Sequence, residues 1–129
     1  MNHSTFTEQA IAQITAAAQA NLPLIRRGRF VSCDMMLTVG DKQWLFSITQ
    51  GRINSVIAGP LVMPSYTFDV SAPESEWHQF WAPTPPPGSQ DLFALLKRRV
   101  LKLNGNLHPL MSNLFYFKFL LAAPRELNQ

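Results

Sequence analysis

Apolar side chains recur at every second position in the middle of the chain and at every third or fourth position towards its ends. Val31, Cys33, Met35, Leu37 and Val39 make one apolar face of the run Phe30–Val39, with Ser32, Asp34 and Thr38 on the other. In Gln43–Gln50, Trp44, Phe46 and Ile48 oppose Gln43, Ser47 and Thr49. A period of two is that of a strand with one face buried. Gly40-Asp41-Lys42 joins these runs at hairpin length. Gln50-Gly51 is a second turn and leads into a weaker strand over Arg52–Ala58. After an irregular link through Gly59-Pro60 and Met63-Pro64, Ser65–Ser71 alternates again, with Tyr66, Phe68 and Val70 together. Four consecutive strands with hairpin-length links predict an antiparallel meander.

The flanking segments read as helices. Thr5 or Thr7 can cap a helix carrying Ile11, Ile14 and Ala18 to about Asn21, where Leu22-Pro23 ends it. Ser71-Ala72-Pro73-Glu74 reads as a capping box for a helix to about Trp81, with Trp77, Phe80 and Trp81 on one side. The prolines at 83 and 85–87 force an exposed, extended loop up to Gly88. Asp91 can cap a short helix through Lys97, Val100–Asn104 has strand character, and Asn106 can cap a last helix with Pro109 in its first turn. No repeat or linker divides the chain, so residues 1–129 are expected to form one domain.

Composition adds a surplus of apolar surface. The chain is 47% hydrophobic and only 15% charged, where about 25% is usual. Its +3 net charge gathers in Arg26-Arg27-Gly28-Arg29 and Lys97-Arg98-Arg99. Short clusters without interleaved stacking residues argue against nucleic acid and leave solvated element ends, an anionic membrane surface or an acidic partner. The single cysteine, Cys33, excludes an internal disulfide. The first 21 residues lack a signal-peptide pattern, and the apolar stretch Leu114–Ala123 is too short to span a bilayer. A cytoplasmic, soluble protein is expected.

The same residues offer little reactive chemistry. His3, His78 and His108 have no metal-ligand spacing, and no nucleophile elbow or phosphate-cradling glycine loop occurs. Cys33 sits on an apolar strand face as a small hydrophobe, and Asp34 is the acidic residue that stands among strand positions. No catalytic residue, metal site or cofactor is expected. What stands out is a C-terminal helix apolar on nearly every side from Leu114 to Leu121, which must be enclosed, partnered or in contact with lipid. Met35, Met36, Met63 and Met111 suit either a core or an adaptable apolar pocket.

Three stretches in order carry a family resemblance. Trp44-Leu45-Phe46-Ser47-Ile48-Thr49-Gln50-Gly51, with Gly59 closing the next strand, resembles the central hairpin of the sterol carrier protein type-2 family. Phe68-Asp69-Val70-Ser71 followed by Glu74-Ser75-Glu76-Trp77 resembles the family's next strand and tryptophan-bearing helix, and Lys102-Leu103-Asn104-Gly105-Asn106 its final strand and turn. The match covers about Phe30–Leu121. Arg99 stands where the family usually has glycine, Asn106 where it has aspartate, and the proline run lengthens one connection.

The resemblance implies an α+β fold, with a five-stranded, mostly antiparallel twisted sheet covered by helices and an apolar tunnel between them. It implies a lipid-like ligand: a sterol, fatty acid, fatty acyl group or isoprenoid quinone precursor. Trp44, Phe46, Ile48, Tyr66, Phe68, Trp77, Trp81, Met111 and Phe115 are the expected ligand-binding residues, with Trp44, Phe46, Tyr66, Phe68 and Phe115 walling the cavity. The competing reading is a non-catalytic accessory subunit that docks its apolar C-terminal helix on a partner enzyme. Leu114, Phe115 and Leu121 spread around that helix at about 100° per residue. Truncation after Ser112 is therefore expected to weaken lipid binding more than about tenfold while the chain still unfolds cooperatively.

Overall fold

The computed structural model describes residues 3–61 and 65–128; the Met63-Pro64 link lies outside them. Helices α1 (His3–Ala20) and α2 (Leu22–Arg27) precede three strands, β1 (Ser32–Val39), β2 (Lys42–Thr49) and β3 (Arg52–Ala58). Then follow β4 (Phe68–Ala72), α3 (Glu74–Phe80), α4 (Leu92–Lys97), β5 (Lys102–Gly105), α5 (His108–Ser112) and α6 (Leu114–Ala122), with a terminal 3₁₀ segment, Ala123–Asn128.

The strands form one five-stranded sheet in the order β3-β2-β1-β4-β5. Cross-strand neighbours share a face, so the registers Met35↔Phe46, Leu37↔Trp44 and Leu37↔Val70 place the apolar sets of β1, β2 and β4 in one layer. This layer is buried, and Trp77, Phe80, Trp81, Tyr116, Phe117, Leu120 and Leu121 from α3 and α6 join it in one core. Phe68 meets Phe117 edge-on with centroids 5.3 Å apart, and Trp77 stacks on Trp81 at 5.4 Å. The indole N–H groups stay paired in this interior: Trp77 Nε1 donates to the Thr38 carbonyl and Trp81 Nε1 to that of Leu121.

Several sequence expectations change. The four strands are not a meander: β4 pairs with β1, parallel to it, so the chain after Ala58 returns along the sheet instead of turning tightly. Alternation reports which face of a strand is buried and not which strand lies beside it. β4 also begins only at Phe68, which leaves Tyr66 outside the strand. Pro23 does not stop the helical region, because Asn21 starts a second helix by accepting from the Leu24 N–H and proline is accepted in the first turn. Thr5 and Thr7 lie inside α1. The Ser71–Glu74 capping box does not form: Ser71 belongs to β4, Pro73 precedes α3, and the Glu74 carboxylate accepts from Thr7 Oγ1 at 2.9 Å. Asn113, at φ −132° and ψ 42°, divides the last helix into α5 and α6.

Left-handed backbone occurs in several turns, and two of them bear on the sequence reading. Gln50 (φ 51°) and Gly51 (φ 81°) form the two-residue hairpin between Thr49 and Arg52, as a type I′ turn requires. Arg99 adopts φ 64°, in the position where the resembled family has glycine.

Candidate functional site

A broad concavity is bounded by α1, α2, α6 and the 3₁₀ segment. On α1, Ile11, Ile14 and Ala18 point into the core. Gln13, Ala16, Ala17 and Ala20 follow helical spacing on the neighbouring face and line a groove of about 700 Å³. Pro23, Leu24 and Arg27 of α2 form a second wall, and Phe119, Ala122, Ala123 and Arg125 a third. The space exists because facing helices carry methyl groups where longer side chains would interdigitate. Its size falls within the roughly 300–1,000 Å³ of small-molecule sites.

Two cations sit on its walls. The Arg27 guanidinium lies 5.3 Å from the centre of the Phe119 ring. Arg125 is held by its own hydrogen bonds, from Nε to the Phe80 carbonyl (2.8 Å) and from Nη2 to the Gln90 carbonyl (2.6 Å), and lies over the Phe80 ring. Burial pulls the Arg125 pKa down, and Asp91 opposes the shift. The groove thus has apolar and small walls with cationic margins. It can take an elongated apolar molecule, and it offers charge for a polar end.

The nine residues expected from the sequence do not come together in one cavity. Trp44, Phe46, Ile48, Phe68, Trp77 and Trp81 are buried in the close-packed core. Tyr66, Met111 and Phe115 are 38%, 47% and 62% exposed. Of the nine, only Met111 lines any of three cavities: the groove, an apolar cleft of about 10 Å³ beside Leu114, and a concavity of about 470 Å³ near Gly40 and Arg99. The strand aromatics are core because α6 lays Tyr116, Phe117, Leu120 and Leu121 directly over them. The groove residues escaped sequence reading because alanine carries no chemical signature. Their signal was the run of small residues at helical spacing from Ala16 to Ala20.

The reactive groups are occupied structurally. Burial, with the Asp34 charge adding to it, pushes the Cys33 thiol up to about 11. Its protonated form is the one the fold favours: this preference is fully present below the ordinary pKa of 9.0 and is lost as pH rises through about 11. Alkylation of the native protein by iodoacetamide at pH 8 is expected to be slow and to accelerate only towards pH 11, whereas the unfolded chain reacts as an ordinary thiol. Rapid alkylation of native protein at neutral pH would contradict this. Asp34 accepts from Ser47 Oγ. His78 Nε2 lies 2.9 Å from Thr7 Oγ1 and 3.8 Å from Glu74. Among the described residues, no group of three or more His, Cys, Asp or Glu side chains could hold a metal, and no helix is long and apolar enough to cross a membrane.

No family model matches the sequence, and no curated protein does. Solved structures do match. A candidate sterol carrier protein from Thermus thermophilus is 16% identical at a TM-score of 0.68, covering 94% of this chain and 87% of its own. A sterol carrier protein 2-like protein from Aedes aegypti is 20% identical at 0.61, covering 88% and 96%. The ubiquinone synthesis protein UbiJ is 13% identical at 0.55, covering 97% and 96%. The likeness extends over nearly the whole of each chain, and what it establishes is a shared fold.

Proposed function

We propose that this chain, which has the sterol carrier protein type-2 fold, binds and carries an apolar, lipid-like ligand in the groove between α1, α2 and α6. The observation that carries the reading is the groove itself, walled by Ala16, Ala17, Ala20, Leu24 and Phe119. Sterols, fatty acids, fatty acyl groups and isoprenoid quinone precursors all meet its requirement for a long apolar body. Removing on the order of 300 Å² of such a body from water contributes roughly 7 kcal/mol before the costs of association, so affinity needs few polar contacts. Trp44, Phe46, Ile48, Phe68, Trp77 and Trp81 enter this reading as the packed core beneath the helices, and Met111, Phe115 and Tyr66 as exposed residues outside the groove's lining. The role is non-catalytic, in keeping with a Cys33 thiol held protonated and a His78 engaged with Thr7 and Glu74.

Filling the groove tests this. Ala16 is exposed on the wall, so Ala16→Trp is expected to leave stability within about 1 kcal/mol and to weaken binding of a fluorescent long-chain lipid analogue by more than about tenfold, or 1.4 kcal/mol. Unchanged affinity in a folded Ala16→Trp protein would remove the groove as the site. The second reading is an accessory subunit docking on a partner enzyme. The exposed Phe115 and Phe119 of α6 favour it, and it predicts no saturable lipid binding by the isolated chain.

A further inference from the structure

The outer face of α6 is apolar where a surface helix ordinarily turns polar side chains to water. Phe115 and Phe119, four residues apart on it, are joined by Phe93 of α4 and Met111 of α5, and all four are between 45% and 62% exposed. They form one patch. Lys118 Nζ lies 5.6 Å from the Phe115 ring centre and 5.7 Å from that of Phe93, Met111 and Phe93 line the same small cleft, and Arg27 covers Phe119. Among the described residues, the carboxylate paired with this set is Asp91, 3.7 Å from Lys118. Arg26 and Arg29 extend the positive charge beyond Arg27, and Lys97 stands one turn after Phe93 on α4.

We infer that this patch docks the protein on an anionic lipid bilayer, with Phe93, Phe115 and Phe119 entering the interface and Lys118 and Arg27 meeting lipid phosphates. Aromatic rings with cations close over them suit the headgroup boundary, where the ring seeks the acyl region and the long cationic side chain reaches back to the phosphates. The charge argues against a second copy as occupant, since a two-fold contact would set this net-positive patch against an identical net-positive patch. The cleft beside Met111, about 10 Å³, is too small to seat a partner's side chain. Phe119 belongs both to the patch and to the groove, so docking brings the groove to the membrane, where an apolar ligand is loaded or delivered. That purpose rests on the groove reading; the docking itself does not.

Sedimentation with phosphatidylcholine vesicles, with and without phosphatidylserine, tests it. Binding is expected to be at least about tenfold stronger with phosphatidylserine, at roughly 1 kcal/mol per engaged cation, and to fall with added salt. Phe93→Ser/Phe115→Ser, at exposed positions outside the groove, is expected to lose vesicle binding while retaining its thermal transition and its affinity for the soluble lipid probe. Lys118→Glu is expected to lose the phosphatidylserine preference. Ala16→Trp is expected to do the reverse of the double variant, keeping the vesicles and losing the probe. Equal binding to both vesicle types, or none to either, overturns the docking while probe binding leaves the groove reading standing. Concentration-dependent dimers that disappear in Phe93→Ser/Phe115→Ser also overturn it, in favour of a second copy.

Discussion

Truncation after Ser112 is expected to abolish cooperative unfolding. Besides the outer face of α6, the deletion removes Tyr116, Phe117, Leu120 and Leu121, all essentially inaccessible to solvent. At about 1.5–3 kcal/mol for each large apolar side chain, these four contribute roughly 6–12 kcal/mol, comparable with the 5–15 kcal/mol total stability of an ordinary domain. Two buried hydrogen bonds go with them, Trp81 Nε1 to the Leu121 carbonyl (2.8 Å) and Tyr116 Oη to the Gly51 carbonyl (2.7 Å). The loss also uncovers Phe68, whose edge-on partner is Phe117. A thermal melt followed by circular dichroism should show no sigmoidal transition. A folded, truncated protein would mean that the strand layer packs without α6. The spread of apolar residues around this helix suggested the opposite from sequence alone; the structure divides them into an inner face that completes the core and an outer face that does not.

Gly51→Ala is expected to cost about 3 kcal/mol, and more where the turn cannot relax. The residue adopts φ 81°, a region that strains any side-chain-bearing residue by about 1–2 kcal/mol. A methyl group there would also stand 2.8 Å from the carbonyl oxygens of Gly28 and Ile25, which are backbone atoms that cannot rotate away. Overpacking of this kind adds about 1–3 kcal/mol. The turn packs against the end of α2, and its own carbonyl receives the Tyr116 hydroxyl, so displacement is felt in α6 as well. The melting temperature should drop by about 10 °C. A change of a degree or two would mean that the close approach of the hairpin to α2 is not fixed.

The strand faces were legible in the sequence because burial on one side of a sheet imposes a period of two over Val31–Val39, Trp44–Ile48 and Phe68–Val70. The parallel pairing of β4 with β1 was not, since it depends on which sheet edge the chain reaches after Ala58. Local signals misled where tertiary contacts offered a better partner, as when Glu74 bonds Thr7 rather than closing a capping box. Leu22-Pro23 carries the signal of a helix stop, yet a proline in a first turn marks a start just as well. Trp77 and Trp81 were recognisable as important, but size and hydrophobicity do not tell a packed core from a cavity wall. The groove depends on what is small, and Ala16, Ala17 and Ala20 announce nothing in a sequence except helix.

The proposal of a lipid site in that groove is tested most directly by photolabelling with a long-chain alcohol carrying an aliphatic diazirine, followed by peptide mapping. Saturable labelling is expected within residues 13–27 and 119–125, the segments that wall the groove, displaced by unlabelled alcohol and absent in Ala16→Trp. Saturable labelling of the strand segment around Trp44 and Phe46 would place the guest inside the core and contradict it, as would labelling that never saturates.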